Sequence, residues 1–307
     1  VTAPLFVVNP AAGGDAAGRR WPGLETYARS LGLSPDVVFT DGPGHATVVV
    51  REALADGRPL IAVVGGDGTV NEGVNGFFDD HGTPTSPETE LAIVGVGTGR
   101  DTIRTYGIPK RPDEALRLVA SGKTRQVDVG WAEFSSTDGA AATRAFINAG
   151  SCGMTGQVAE RATRTTRRLG GTAAFMWATV TTFVAWKNVP LEVEIDDERL
   201  DLVGNNAIVA NGRFLGGGMR LCPDAEPDDG LLDVLVWGDV TKLDLVRTLH
   251  KLYRGTHVDH PKATMRKARR VSVRSPQPLP LELDGEQPGQ APVTFTVLPG
   301  SLRLRAP

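Results

Sequence analysis

Cysteine is scarce: only Cys152 and Cys222 occur in 307 residues. They form neither a metal-ligand spacing nor a disulfide framework, which suits a reducing, cytoplasmic setting. Charge of one sign is also lacking. A net charge of −3 leaves no electrostatic footprint for nucleic acid. There is no repeat at a fixed period. No signal peptide is expected, because the chain enters a strand-like run at once. Leu169 to Trp186 is uncharged, but at 18 residues with several threonines and two glycines it makes a poor membrane span, so no transmembrane segment is expected. The remainder is ordinary globular composition, 40% hydrophobic and 22% charged, long enough for one large domain or two average ones.

What is present centres on Val63-Val64-Gly65-Gly66-Asp67-Gly68-Thr69-Val70-Asn71-Glu72. The apolar run Leu60 to Val64 predicts a buried strand, and Val70 to Phe78 predicts the start of a helix. Three glycines and one acid thus sit at a strand-to-helix switch. Glycine there permits positive φ and close approach of a ligand. The helix N-terminus favours phosphate. Asp67 would repel a phosphate unless a cation lay between them, which suggests a Mg²⁺-nucleotide. A plain Gly-Asp-Gly turn is the alternative.

The same strand-then-turn pattern recurs on either side. Pro4 to Val8 leads into Asn9-Pro10-Ala11-Ala12-Gly13-Gly14, Asp36 to Thr40 into Asp41-Gly42-Pro43-Gly44-His45, and Leu91 to Gly95 into Gly97-Thr98-Gly99-Arg100-Asp101. Helices are expected over Trp21–Leu31, Ala46–Asp56 and Pro112–Ala120. Alternating strands and helices predict a doubly wound parallel α/β sheet with its polar turns at one edge, where such folds bind ligands. His45 reads as a loop or cap residue.

From Gln126 the texture changes to many short strands, which argues an antiparallel β-sandwich. The expected domains are 1–125 with 299–307, and 126–298. Leu169–Trp186, preceded by Arg161, Arg164, Arg167 and Arg168, interrupts the strands. It reads either as an amphipathic helix packed on the sandwich or as a surface helix touching an anionic membrane. The acidic loop Pro223 to Val234 can hold a hard cation or be merely solvated. Leu281-Glu282-Leu283-Asp284-Gly285-Glu286 ends a strand in two acids around a glycine, which suits general-base work or a type I′ hairpin turn.

Asn9-Pro10 with Gly13, Gly65 to Thr69 with Asn71-Glu72, Gly97-Thr98-Gly99 with Asp101, the Pro223–Val234 loop and Asp284-Gly285-Glu286 follow one another in an order that resembles the diacylglycerol kinase catalytic family. The chain is most similar to its bacterial soluble lipid kinases. Sphingosine and ceramide kinases are more distant, and NAD kinases share Gly-Gly-Asp-Gly. The resemblance spans essentially the whole chain. It implies an α/β nucleotide domain, a β-sandwich and a cleft between them. It also implies an ATP-dependent lipid kinase that uses Mg²⁺. ATP would contact Asn9, Pro10, Ala11, Ala12, Gly13, Thr40, Gly65, Gly66, Asp67, Gly68, Thr69, Val70, Asn71, Glu72, Thr98 and Asp101. Asp284 would be the general base with Glu286 beside it. A structural Mg²⁺ would sit on the Asp229 carboxylate and the backbone carbonyls of Glu226 and Leu231.

The chain departs from the pattern at Arg100, where the family usually has Asn, and at Thr102, where it has an aromatic. Arg100 can pair with a phosphate of ATP or of an anionic lipid headgroup, or fill the acceptor pocket. The expected partner is a lipid substrate at a membrane surface, with peripheral association. A homodimer is one oligomeric state open to the chain. Two other readings stay open: a kinase of another hydroxylated small molecule, NAD included, and a non-catalytic nucleotide or lipid sensor.

Overall fold

The computed structural model describes residues 3–97, 99–169 and 171–307, with 163–169 and 171–176 as backbone only. The chain divides into two compact units, Val1–Val129 with Pro299–Pro307, and Gly130–Leu298.

The first unit alternates strand and helix: β1 (Leu5–Val8), α1 (Ala12–Ser30), β2 (Asp36–Phe39), α2 (His45–Ala55), β3 (Leu60–Gly65), α3 (Asp67–Gly76), β4 (Glu90–Gly95), α4 (Asp101–Thr105) and α5 (Pro112–Ser121). The strands are parallel in the order β2-β1-β3-β4. Arg303 and Leu304 add one more parallel strand beside Glu90 and Leu91. β1 and β3 are buried along their whole length, as a parallel sheet covered on both faces requires. α1 packs with α5, and α2 with α3. Each of these strands ends in a turn, so the polar turns lie at the C-terminal edge of the sheet.

The second unit contains most of β5 (Arg125–Ser136), then β6 (Ala141–Phe146), β7 (Ala149–Gly153), α6 (Met154–Leu169), α7 (Gly171–Ala185), β8 (Val189–Ile195), β9 (Glu198–Gly204), β10 (Asn206–Ala210), β11 (Leu232–Trp237), α8 (Lys242–Arg254), β12 (Ala263–Ala268), β13 (Arg270–Arg274), β14 (Pro280–Leu283) and most of β15 (Glu286–Leu304). One run of neighbours is β12-β11-β10-β7-β14-β15, and another is β9-β8-β13-β15. The long β15 is common to both. Their apolar faces meet in one cluster that includes Phe146, Leu191, Val209, Val271, Leu283 and Phe295. Phe146 and Phe295 meet edge to face at 5.7 Å between ring centres, the favoured arrangement for aromatic pairs.

Two helical features differ from the sequence expectation. The helix expected over Leu169–Trp186 is α7, Gly171–Ala185, and a helix that was not expected, α6, Met154–Leu169, precedes it. α7 buries Ala178 and Thr182 and leaves Trp177, Val180 and Val184 exposed. The side chains of Arg164, Arg167 and Arg168 lie outside the described residues. α8 was not expected at all, although Thr241 and Asp244 close a reciprocal capping box at its start that a Thr-x-x-Asp pattern announces. Among the described residues no helix is long and apolar enough to cross a membrane.

Candidate functional site

In the first unit three turns converge. Asn9 Nδ2 donates to Thr69 Oγ1 at 2.8 Å, and Asn9 Oδ1 accepts the Ala11 N–H at 3.1 Å. The first turn is thereby shaped by its own Asn and tied to the second. Gly13, Gly14 and Asp15 all have left-handed φ of 62–66°, so regular helix starts only after them. A Cβ on Gly13 would lie 3.3 Å from Gly97 Cα, and one on Gly97 would lie 3.3 Å from Gly66 Cα. The three Gly-rich turns therefore nearly touch, and only small residues fit where they meet.

The glycines of the central turn act differently from the sequence expectation. None of Gly65, Gly66 and Gly68 has positive φ. Gly66 is extended, with φ −90°. Gly65 is instead demanded by packing, because a Cβ there would come within 2.6 Å of the Thr69 side chain. Gly66 has nothing within 4 Å of a built Cβ, so that space is open to a ligand next to the N-terminus of α3. Unpaired amides and the helix dipole make that end attractive to an anion.

Asp67 opens α3. Its Oδ2 lies 3.4 Å from the Asp101 amide, and a side chain on Gly99 would collide with it. Burial raises its pKa above the ordinary carboxylate value, while hydrogen bonds from Asp101 and Thr102 and the charge of Arg104 pull the other way. Thr102, where the family pattern has an aromatic, is thus a direct partner of Asp67. Asp101 is buried and pairs with Arg104 at 3.2 Å. Arg100 is exposed, and its Nε is 3.4 Å from the Gly97 carbonyl.

Other residues named from the sequence make the following internal contacts. Glu72 Oε2 accepts the Ala46 N–H at 3.3 Å, so its carboxylate stands at the start of α2. Val70 and Asn71 are buried, and the Asn71 carbonyl accepts Asn75 Nδ2 at 2.8 Å. Thr40 is buried at the end of β2, its N–H bonded to the Val8 carbonyl at 2.9 Å. The Pro10 carbonyl accepts the Gly18 N–H at 3.1 Å, and Ala12 donates to the Asn9 carbonyl at 3.2 Å. His45 Nδ1 accepts the Asp41 N–H at 2.9 Å, a local loop contact. Thr98 lies outside the described residues.

In the second unit Asp284 and Gly285 have φ of 48° and 93°, and Leu283 pairs with Glu286 across them. Two consecutive positive φ values are the mark of a type I′ hairpin turn. The turn also has a polar partner. Asp284 Oδ2 accepts the Ile147 N–H at 2.8 Å, and Oδ1 accepts those of Asn148 at 3.0 Å and Ala149 at 2.9 Å. Its own N–H donates to the Ala149 carbonyl at 2.9 Å. Glu286 is ion-paired with Arg144 at 2.6 Å.

Two residues before Asp284, sequence reasoning missed Glu282. It is buried, its Oε2 lies 2.6 Å from Ser151 Oγ, and its Oε1 accepts the Gly285 N–H at 2.5 Å. It reads as one polar position on an alternating strand, and only tertiary structure reveals that it faces a cavity. That cavity, about 420 Å³, is walled by α6, α7, α8, β10 and β11. Most of its lining is apolar, including Val158, Phe183, Ile208, Leu221 and Trp237, and Thr155, Asn206, Glu282 and Gly285 close one end.

In the acidic loop the Asp229 carboxylate is paired with a lysine. Lys267 Nζ lies 2.6 Å from Asp229 Oδ2, and the Leu231 N–H donates to Asp229 Oδ1 at 3.0 Å. The Glu226 carbonyl accepts the Asp229 N–H at 3.4 Å. Asp233, buried nearby and 3.6 Å from Lys267, has its pKa pushed up to about 6 by burial, against the pull of Lys267. Among the described residues no group of three or more His, Cys, Asp or Glu side chains is arranged to hold a metal. Cys152 and Cys222 are free and buried, and burial raises both thiols.

Comparison with known proteins agrees with the two-part architecture. Residues 3–132 match the diacylglycerol kinase catalytic domain, and residues 148–306 match the YegS C-terminal NAD kinase beta sandwich-like domain. The chain belongs to the diacylglycerol kinase-like family. At family level that makes it a lipid kinase. A diacylglycerol kinase of Staphylococcus carnosus (strain TM300) is 26% identical over 302 residues, covering 98% of this chain and 94% of that protein. A candidate diacylglycerol kinase from Bacillus anthracis str. Sterne superposes with a TM-score of 0.78 at 24% identity, over 99% of this chain and 97% of the other. Yeast NADH kinase complexed with NADH gives 0.53 at 11% identity, over 98% and 82%. The last two establish the fold alone. The fold is accordingly the NAD kinase-like one, an N-terminal α/β domain followed by a β-sandwich.

Proposed function

We propose that this kinase transfers the γ-phosphoryl group of ATP to the hydroxyl of a diacylglycerol or a closely related lipid. The observation that carries the acceptor class is the apolar cavity of the second unit. Its volume of about 420 Å³ falls within the ~300–1,000 Å³ of small-molecule sites, and its polar end lies on the hairpin that bears Asp284. Acyl chain would occupy the apolar walls, and the hydroxyl-bearing head would lie toward Glu282 and Gly285.

The converged turns Asn9–Gly13, Gly65–Thr69 and Gly97–Gly99 suit the donor. Amides at the start of α3 would bind phosphate oxygens, and Asn9 and Thr69 keep two of the turns in register. Asp67 has a carboxylate at that helix start, so it would hold a Mg²⁺ that arrives with the nucleotide; that ion would neutralise charge on the transferring phosphoryl group. The Asp229 loop, already neutralised by Lys267, is assigned no metal and no step. Asp284 accepts the acceptor's hydroxyl proton in this reading, from a position fixed by three amide hydrogen bonds. Glu286 is held by Arg144 beside it.

The acceptor side has features suited to a bilayer. Val180 of α7 and Val246, Leu249 and Tyr253 of α8 line the cavity, yet they are 51%, 58%, 53% and 52% exposed. Lys242, Arg247, Lys251 and Arg254 on α8 are exposed as well. A helix with an apolar stripe beside cations adsorbs reversibly to anionic membranes, which is how a lipid substrate would enter.

A single-turnover assay with labelled ATP, Mg²⁺ and vesicles carrying a panel of hydroxylated lipids tests the proposal. Label is expected in a diacylglycerol-type lipid. Transfer to NAD or another soluble alcohol alone would replace the lipid acceptor, and transfer to nothing, with nucleotide bound, would make the protein a sensor.

A further inference from the structure

The loop after β10 is stapled to the strip that cradles Asp284. Asn211 Nδ2 donates to the Ile147 carbonyl at 3.0 Å, and the Asn211 and Gly212 amides donate to the Asn148 carbonyl at 2.9 and 2.8 Å. Asn148 Nδ2 in turn donates to the Phe214 carbonyl. The next turn holds Gly216, Gly217 and Gly218, all with left-handed φ, and Leu215 bridges to Met219 across it. The chain thereby doubles back and brings Arg220 to Phe214, with the guanidinium 5.9 Å from the centre of the ring. Phe214 is thus fixed by the same residue, Asn148, whose amide bonds Asp284.

The state of that guanidinium is the second observation. Arg144 pairs with Glu286, and Arg213 Nε donates to the Ala225 carbonyl at 2.8 Å. Arg220 is half-buried like them, yet among the described residues its side chain makes no hydrogen bond and no ion pair. No Asp or Glu lies outside the described residues, so no carboxylate neutralises it. Its Nε is sealed from solvent, whereas the two terminal nitrogens reach it. The ring and the packed stem hold the fork in place. A fork fixed beforehand loses less entropy on binding, and its parallel N–H donors match phosphate.

We propose that Arg220 is a phosphate-binding residue of the acceptor side, taking the phosphate monoester that the lipid carries after transfer. Such a monoester brings a charge of about −1.5 to −2 where the lipid hydroxyl had none. Asp284 then serves the head before transfer and Arg220 serves it afterwards. The source of the phosphate rests on the lipid-kinase reading; the site rests on the unpaired, pre-set guanidinium.

The test is equilibrium binding without nucleotide, in neutral mixed micelles carrying dioctanoyl phosphatidate or dioctanoylglycerol. Wild type should bind the phosphatidate at least about 10-fold more tightly, the scale of a charged hydrogen bond gained, and the preference should shrink with salt. Arg220→Gln should lower the ratio by a similar factor. Arg220→Lys keeps the charge without the fork and should lower it by less. Arg270→Gln, which removes an exposed charge of β13, should leave it as it is. A packing role alone would lower the Tm of Arg220→Gln and spare the ratio, which would overturn the proposal. So would an equal fall in Arg270→Gln, or a wild type without the preference. If Arg220→Gln does not fold, an unchanged ratio in Arg220→Lys would overturn it. Inorganic phosphate bound as tightly as phosphatidate, with the same dependence on Arg220, would keep the site and overturn its lipid source. An Arg220-dependent preference in a protein that transfers phosphate to no lipid would instead overturn the kinase reading and leave the site standing.

Discussion

Asn9 and Thr69, 60 residues apart in sequence, share a 2.8 Å hydrogen bond between their side chains. That bond locks the turn after β1 to the turn after β3. Losing it should remove about 0.5–1.5 kcal/mol of stability and let the two turns drift. Asn9→Ala should therefore weaken ATP binding in a protein that still folds. Gly66→Val should go further. Gly66 is extended and its surroundings are open, so the fold should survive while the side chain fills the space intended for phosphate. Calorimetric titration with ATP checks both, and wild-type affinity in a folded Gly66→Val protein would remove this turn from the site.

The acidic loop gives a prediction opposite to the sequence expectation. With Lys267 on Asp229, Mg²⁺ should add no stability through this carboxylate. Tm should be the same in Mg²⁺ and in EDTA, and Asp229→Ala should lower it equally in both. A rise in wild-type Tm with Mg²⁺ that is lost in Asp229→Ala would restore the metal site, since a ligand of the native state stabilises by mass action.

Which parts could be read from the chain follows from the range of the interactions involved. β1, β3 and β4 are local apolar runs, and their turns carry Gly, Pro and Asn, so the alternating half was legible. The convergence of Gly13, Gly66 and Gly97 was legible only as three similar turns at one sheet edge. Their mutual distances belong to tertiary structure. The glycines misled in one respect: positive φ was expected at the central turn, but Gly65 is required by the Thr69 side chain instead. The second half was harder. α8 carries its Leu and Val at helical spacing, yet it lies among strands. Glu282, Lys267 and the partners of Asp284 act across separations of tens to over a hundred residues, which no local pattern records.

His257 provides a pH test of the second unit. It is buried, its Nε2 is 3.0 Å from the Leu221 carbonyl, and its ring stacks on Trp237 at 5.8 Å. Burial lowers its pKa below the usual 6.5, against hydrogen bonds to the Leu221 and Lys251 backbone that raise it. The unfolded chain thus takes up the proton before the folded one does. Stability from this group is full above about pH 6.5 and is lost as pH falls through the interval down to the lowered folded value. Thermal melts should show Tm falling below pH 6.5, with a shallower fall in His257→Gln. Equal slopes would mean the acid sensitivity lies elsewhere.

Membrane adsorption should depend on α8. Val246→Glu with Leu249→Glu places charge on the exposed apolar stripe at the cavity rim, and both positions are open enough to accept it without disturbing the core. Co-sedimentation of wild type with vesicles should rise with anionic lipid and fall with salt. The double variant should pellet far less while keeping its Tm. If it pellets like wild type, the bilayer is met by another surface.

Asp284 bears the heaviest prediction. A lipid hydroxyl is a weak nucleophile at neutral pH, and a base must lie within hydrogen-bond reach of its proton. Asp284 stands on a rigid I′ turn, and three amides from Ile147 to Ala149 hold its carboxylate. Those bonds cut both ways. They fix the base in place, and they also make the side chain part of the scaffold. Asp284→Asn keeps shape but sets an amide group against backbone donors, so Tm should fall as well as rate. If Asp284 is the base, kcat should drop by about 10²- to 10⁴-fold, measured below the variant's Tm, while ATP affinity stays close to wild type. Glu286→Gln, which loses only an ion pair to Arg144, should cost less. A clear loss of Tm with more than about a third of wild-type kcat retained, far outside the usual general-base effect, would leave Asp284 as a structural anchor and move the search for the base to Glu282 and Asp67.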